Sequence, residues 1–269
     1  MPLDLRNIGI DMKVVIFAGG LGTRLAGETD TRPKPMVEIG GKPILWHIMK
    51  IYSSYGFNEF IICLGYKGYL IKEYFMNYFL HNSDITIDVA SNNVEVHGNN
   101  AENFKVTLVE TGSTTKTAGR LQKVRKYIGN EPFMLTYGDG VADIDINKLV
   151  DFHQTHGKVA TVTAVSLEAR FGGMELEESG KVAAFREKAK DESKWINAGF
   201  FVLNPEIFNY LDGDMEEMMW EDAPLEKMTE ANQLVAYKHF GFWKCMDALR
   251  DKIELEGLWQ QNKAVWKKW

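Results

Sequence analysis

The sequence predicts an α/β fold: a mixed, mainly parallel sheet flanked by helices, with a smaller β-rich subregion in the later half. Three observations lead there. Short apolar runs alternate with helical patterns through the first half of the 269 residues. The first of these runs opens directly into a glycine-rich turn, Gly19-Gly20-Leu21-Gly22. The second half holds more strand-like runs with fewer helices between them. Alternating strand and helix implies βαβ units, whose ligands bind beyond the carboxyl ends of parallel strands.

The strand-like runs cover residues 13–18, 59–65, 105–110, 133–137, 159–165, 181–186, 198–203 and 234–239. After the first, Ile44, Leu45, Ile48, Met49 and Tyr52 fall on one face at helical spacing. After the second, Ile71, Tyr74, Phe75, Tyr78 and Phe79 do the same. Residues 82–103 are polar, Asn-rich and long for a connection, which predicts either a surface excursion or an arm packed on another subunit. No low-complexity linker, repeat or charge block divides the chain, so residues 12–269 read as one domain. Residues 1–11 precede the natural start Met12-Lys13-Val14 and read as a poorly ordered extension or a start assigned too early.

The net charge of −6 argues against a nucleic-acid polymer as partner, since that binding rests on a basic surface. No window approaches the apolar length of a membrane span or a signal-peptide core. Cys63 and Cys245 lie far apart in apolar runs, as reduced thiols would. The expectation is a cytoplasmic protein without membrane contact.

The glycine turn fits neither of the two familiar phosphate fingerprints. Read as G-x-G-x-x-G/A from Gly20, it places Leu25 where a small residue is needed. Read as a P-loop, Gly41-Lys42 is followed by Pro43. Its chemistry still suits a triphosphate. Glycines leave backbone N–H groups free to approach phosphate oxygens, while Arg24, and Lys34 in Arg32-Pro33-Lys34-Pro35-Met36, add positive charge.

A triphosphate held beside carboxylates calls for a bridging cation, and Mg²⁺ typically takes one or two protein carboxylates plus phosphate oxygens. Asp139, between Gly138 and Gly140 at the end of an apolar run, is one candidate. Asp247 is the other, placed where a strand-like run gives way to a helix that it could also N-cap. Glu187-Lys188 and Asn197 offer a carboxylate, an ammonium and an amide suited to sugar hydroxyls and a phosphate. No H-E-x-x-H spacing, Cys–His pairing or G-x-S-x-G elbow is present.

Taken in order, the glycine turn with Arg24, Arg-Pro-Lys-Pro-Met, Tyr-Gly-Asp-Gly, Glu-Lys, Asn-Ala-Gly-Phe-Phe-Val and Phe-Trp-Lys-Cys-Met-Asp resemble the sugar-1-phosphate nucleotidylyltransferases. The likeness runs from about Met12 to the C-terminus and is strongest toward the subfamily that joins CTP to glucose 1-phosphate. It implies the Rossmann-like nucleotide-diphospho-sugar transferase fold with a β-rich sugar-binding subregion. It implies formation of CDP-glucose and pyrophosphate, feeding 3,6-dideoxyhexose synthesis for surface polysaccharide, with Mg²⁺ as cofactor. Phe17, Ala18, Gly19, Gly20 and Leu21 would line the nucleotide, Gly22, Thr23 and Arg24 would hold its phosphates, and Lys34 would bind the phosphate region. Thr115, Arg120 and Gly138 would also meet the nucleotide, Asp139 and Asp247 would bind Mg²⁺, and Glu187, Lys188 and Asn197 would serve the sugar phosphate. Arg24 and Lys34 are the expected catalytic pair. The resemblance also implies a homo-oligomer, with a hexamer among the options. Two positions depart from the family pattern: Ala189 replaces the usual Pro after Glu-Lys, and Ala118 replaces a Gly before Gly119-Arg120.

Overall fold

The structure, a computed structural model, describes residues 12–20, 22, 25, 27–167, 173–176, 182–186 and 194–269. Residues 1–11 therefore lie outside the described part. In chain order, β1 (Val14–Ala18) leads to a small hairpin, β2 (Glu38–Ile39) and β3 (Lys42–Pro43), and then α1 (Ile44–Ser53). Next come β4 (Glu59–Leu64), α2 (Gly68–His81), a second hairpin of β5 (Ser83–Asp88) and β6 (Asn93–Asn99), β7 (Lys105–Glu110) and α3 (Thr117–Ile128). The later half runs β8 (Phe133–Tyr137), β9 (Gly140–Ala142), α4 (Ile146–His156), β10 (Ala160–Leu167), β11 (Gly173–Leu176), β12 (Val182–Arg186) and β13 (Lys194–Leu203). It closes with α5 (Ala223–Glu230), β14 (Leu234–His239), β15 (Trp243–Cys245) and α6 (Leu249–Gln260).

Seven strands form the main sheet in the order β14-β10-β13-β8-β1-β4-β7. All run parallel except β13, which pairs antiparallel with both β8 and β10. From β1 the chain first moves outward to β4 and β7, then crosses back to place β8 on the other side of β1. That reversal opens a crevice between the carboxyl ends of β1 and β8, the place where open α/β sheets bind ligands. The eight strand-like runs all appear as strands. What the runs did not reveal are the short partners, β5–β6, β11 and the β9–β15 pair.

Side chains of β1 alternate between two cores. Val14, Ile16 and Ala18 face one, with Ile44, Leu45 and Ile48 of α1, Leu149 of α4 and Leu255 of α6. Val15 and Phe17 face the other, with Leu121 and Val124 of α3 and Trp220. A strand covered on both sides must be apolar at every position, which is why 14–18 reads as an unbroken run. Helix α1 buries residues all round because the C-terminal segment packs on its outer side: the His47 ring meets Trp259 and Trp266 edge-on. His47 Nε2 lies 2.8 Å from the Ile39 carbonyl, which can only accept, and Trp266 Nε1 donates to Nδ1 at 3.4 Å. Those partners fit a neutral imidazole, and burial pushes its pKa down to about 4.

In α2 the expected apolar face is only partly used: Ile71 and Tyr78 are buried, whereas Phe79 is 46% exposed. Residues 82–103 contain the β5–β6 hairpin, open to solvent along most of its length, with Ile87, Val94 and Val96 all exposed. Its antiparallel pairing answers how the segment is folded.

Candidate functional site

The crevice at the carboxyl ends of β1 and β8 is a cleft of about 460 Å³. Phe17 and Ala18 from β1, Gly20 and Gly22 from the turn, and Gly138 and Asp139 after β8 line it. Lys34 and Asp247 complete the polar end, and Asn197 of β13 lies on the far wall. Residues named from the sequence for the nucleotide, the metal and, in Asn197, the sugar phosphate thus line one cleft. Leu21, Thr23, Arg24, Glu187 and Lys188 lie outside the described residues.

Asp139 and Asp247, distant in sequence, are brought together by backbone pairing. Strand β9 follows Asp139 and pairs antiparallel with β15, which precedes Asp247, with Gly140 opposite Cys245. The Met246 N–H then donates to the Asp139 carbonyl at 2.8 Å. Lys34 enters from a 3₁₀ turn, Lys34–Met36, set between Pro33 and Pro35. Its Nζ donates to Asp139 Oδ2 at 2.6 Å and to Asp247 Oδ1 at 2.7 Å. Burial works against the ammonium, but the charges and hydrogen bonds of Asp139 and Asp247 outweigh it and raise the Lys34 pKa. Lys34 therefore stays charged near neutral pH.

Asp247 does not N-cap the following helix, as its position in the sequence allowed. The N-cap is Ala248, and Asp251 in the first turn of the helix reaches back to it: its Oδ2 accepts from the backbone N–H of Ala248 at 2.8 Å and of Asp247 at 3.1 Å. Lys244 lies 3.2 Å from the other oxygen of Asp251. Asp247 is thereby fixed through its backbone while its carboxylate turns toward Lys34. Cys245 donates its thiol to Asp247 Oδ2 at 3.3 Å. Burial, then the neighbouring Asp247 charge, push that thiol up to about 12, so it acts as a neutral donor rather than a nucleophile.

Thr115 and Arg120 sit behind the cleft wall. The Arg120 guanidinium is buried and donates to the carbonyls of Leu64, Gly112 and Gly19 and to Thr111 Oγ1, at 2.7–3.1 Å. A Cβ on Gly19 would fall 2.1 Å from Arg120 Nη1, so glycine there makes room for the guanidinium as well as for a ligand. Likewise a Cβ on Gly138 would lie 2.6 Å from the Phe17 carbonyl. Thr115 Oγ1 donates to Glu216 Oε2 at 2.5 Å. The expectation that both residues face the nucleotide meets side chains already engaged with their own chain.

Sequence reasoning missed several wall residues. Thr117 lines the cleft at the start of α3 and donates to Glu221 Oε2 at 2.9 Å. Tyr137 donates to the other oxygen of Glu221 and accepts from Asn197 Nδ2 at 3.2 Å. Burial, with Glu221 beside it, pushes the Tyr137 pKa up, which keeps the phenol a donor. The available signal was position alone: Tyr137 precedes Gly138-Asp139 on the same strand end.

A family model described as nucleotidyl transferase matches residues 13–251. A protein of Salmonella typhi named glucose-1-phosphate cytidylyltransferase is 55% identical over 259 residues, spanning 96% of this chain and 100% of its own. The protein of that name from Salmonella typhimurium matches with 55% identity and the same coverage. Among solved structures, HddC from Yersinia pseudotuberculosis aligns with a TM-score of 0.67 at 24% identity, over 92% of this chain and 99% of that one. The last likeness shows a common fold.

Proposed function

This chain belongs to the nucleotidyl transferase family, and we propose that it transfers the cytidylyl group of CTP to α-D-glucose 1-phosphate, giving CDP-glucose and pyrophosphate. The choice of CTP and glucose 1-phosphate is supported by the full-length likeness to the two Salmonella proteins. The observation that carries the chemistry is the convergence of Lys34, Asp139 and Asp247 at the polar end of the cleft.

A sugar phosphate is already ionised at neutral pH, so its oxygen needs alignment rather than a general base. The β1 turn and Gly138 let backbone come close to the nucleotide, Lys34 supplies charge toward the phosphates, and Asn197 offers an amide at the sugar end. In this reading Glu187 and Lys188 add sugar-phosphate contacts, and Arg24 adds a second positive charge for the triphosphate. Thr115 and Arg120 support the nucleotide from behind. Attack is direct and in line, with inversion at the α-phosphorus and no covalent enzyme intermediate. Net retention with a chirally labelled α-phosphate overturns that step.

Two carboxylates that converge on one ammonium are chemically suited to a divalent cation, so Asp139 and Asp247 are the residues that would hold Mg²⁺. Bound there, Mg²⁺ supplies Lewis-acid stabilisation of charge on the phosphoryl oxygens. Among the described residues no group of three or more His, Cys, Asp or Glu could hold a metal ion. This fits an ion that takes its other oxygens from phosphate and water.

No described helix is long and apolar enough to cross a membrane. The reading places the enzyme in the cytoplasm as a homo-oligomer, at the first step toward CDP-linked dideoxyhexoses. Exposed Ile87, Val94 and Val96 make the β5–β6 hairpin the segment suited to reach a neighbour. Pyrophosphate release across a panel of nucleoside triphosphates and sugar 1-phosphates tests the activity. Turnover should be highest with CTP and glucose 1-phosphate, and no turnover with any pair rejects the assignment.

A further inference from the structure

Lys34 occupies the position between the carboxylates that a divalent ion would need. Its ammonium lies within hydrogen-bond distance of both, 2.6 Å from Asp139 and 2.7 Å from Asp247. A second cation entering beside it would meet like-charge repulsion in a site where the Lys34 side chain is only 13% exposed.

The carboxylates and the lysine differ in how they are held. Asp139 is tied by the hydrogen bond from Met246 to its carbonyl, and Asp247 by its own N–H to Asp251 and by the Cys245 thiol. Lys34 is set at its base by the Pro-flanked 3₁₀ turn, and its ammonium is held by the two carboxylates themselves. Its four-carbon stem can swing while the carboxylates stay in place. The two carboxylates alone would also leave most of an octahedral Mg²⁺ shell to outside oxygens.

We infer that Lys34 is a resident counter-cation that keeps the carboxylate pair closed to a free divalent ion until a triphosphate arrives. The phosphates then draw the ammonium off Asp139 and Asp247 and bring the missing oxygen ligands, so metal and nucleotide enter together. This rests on the metal-dependent reading above and adds an order to it. The consequence is a pair of effects with opposite signs. Removing the Lys34 charge lowers turnover but tightens binding of the bare metal.

The test measures Mn²⁺ binding to the full chain by the loss of the free-ion electron paramagnetic resonance signal, with and without CTP. Without CTP, Lys34→Met should bind Mn²⁺ at least about tenfold more tightly than wild type, because an ion pair's worth of competing charge is gone. Lys34→Arg, which retains a cation, should stay near wild type. CTP should tighten Mn²⁺ binding far more in wild type than in Lys34→Met. The thermal midpoint of Lys34→Met should gain more from Mn²⁺ than that of wild type, and Lys34→Gln repeats the comparison with a polar side chain. Equal or weaker Mn²⁺ binding by both uncharged variants overturns the counter-cation role. If Mn²⁺ with CTP binds wild type and Asp139→Asn equally, the metal reading fails first and takes this inference with it.

Discussion

Two cations stand at the carboxyl end of the sheet, and they are bound in opposite ways. Arg120 is buried and its hydrogen bonds go to neutral acceptors: three backbone carbonyls and a threonine hydroxyl from the ends of β1, β4 and β7. Burial lowers its pKa, yet a guanidinium keeps its proton in proteins. Lys34, which lines the cleft that Arg120 backs, meets two carboxylates that are 28% and 33% exposed. Buried neutral carbonyls carry no net charge to draw a second cation in place of the guanidinium, so the Arg120 cluster is permanent. Carboxylates can exchange one cation for another, so the Lys34 cluster is convertible. The first holds the Gly19 carbonyl of the glycine turn, and the second is the one the proposed mechanism assigns to ligands.

The largest expected effect lies on the convertible side. Asp139→Asn and Asp247→Asn should each cut turnover by roughly 10²-fold or more, as expected when a group carrying transition-state charge is lost. Steady-state pyrophosphate release measures it, and thermal midpoints should change little because both side chains are partly open. Near-normal turnover in either variant removes that residue from the site.

On the permanent side the loss should fall on stability. Arg120→Met leaves the Gly112 carbonyl without its guanidinium donor and weakens the seating of Gly19, at a cost of about 2–4 kcal/mol in chemical denaturation. Mn²⁺ and CTP should not restore it. The reverse pattern, a loss under about 1 kcal/mol with turnover abolished, would place Arg120 on the nucleotide and dissolve the contrast.

This division also marks what could be read from the sequence. Residues 14–18, 60–64 and 133–135 are apolar because both faces of those strands are covered, so the run itself betrays the central sheet. Lys34, Asp139 and Asp247 were legible as charged groups in conspicuous contexts, a Pro-Lys-Pro and two strand ends. The hydrogen bonding of Arg120 was not, because backbone carbonyls at three separate strand ends carry no side-chain signature. The β9–β15 pairing that joins Asp139 to Asp247 was equally hidden, since it links segments about a hundred residues apart through main-chain hydrogen bonds. The β5–β6 hairpin escaped notice because Asn recurs through residues 82–103, although Ile85 and Ile87 alternate with polar residues.

His47 sharpens the contrast between cations that keep their charge and one that does not. Like Arg120 it is buried against neutral partners, but unlike Arg120 it can lose its proton, and its pKa falls to about 4 from 6.5. The folded state stays neutral while the unfolded state takes up a proton below about 6.5, so stability is present above that pH and is lost as pH falls toward 4. The full loss is on the order of 3 kcal/mol. Replacing His47 with Gln should flatten the acid limb of the stability curve by that amount relative to wild type, measured by denaturation from pH 7.5 down to about pH 4. An unchanged acid limb means that His47 is protonated in the fold.

The smallest effect concerns the residue that links the two behaviours. Asp251 is nearly buried, at 7% exposed, and is bound to backbone N–H groups and Lys244, yet what it holds is the backbone of the convertible Asp247. Asp251→Asn keeps an oxygen to accept the N–H of Asp247 and Ala248 but gives up the charge that favours the α6 N-terminus and Lys244. The expected cost is about 1 kcal/mol of stability. Because Asp251 acts on Asp247 through the main chain, the kinetic effect should fall on the metal concentration needed for half-maximal rate, by several-fold, with kcat at saturating metal close to wild type. Asp251→Glu, which restores the charge, should recover part of that shift. A fall in kcat as deep as that of Asp247→Asn would mean that Asp251 itself meets the reacting groups rather than bracing the residue that does.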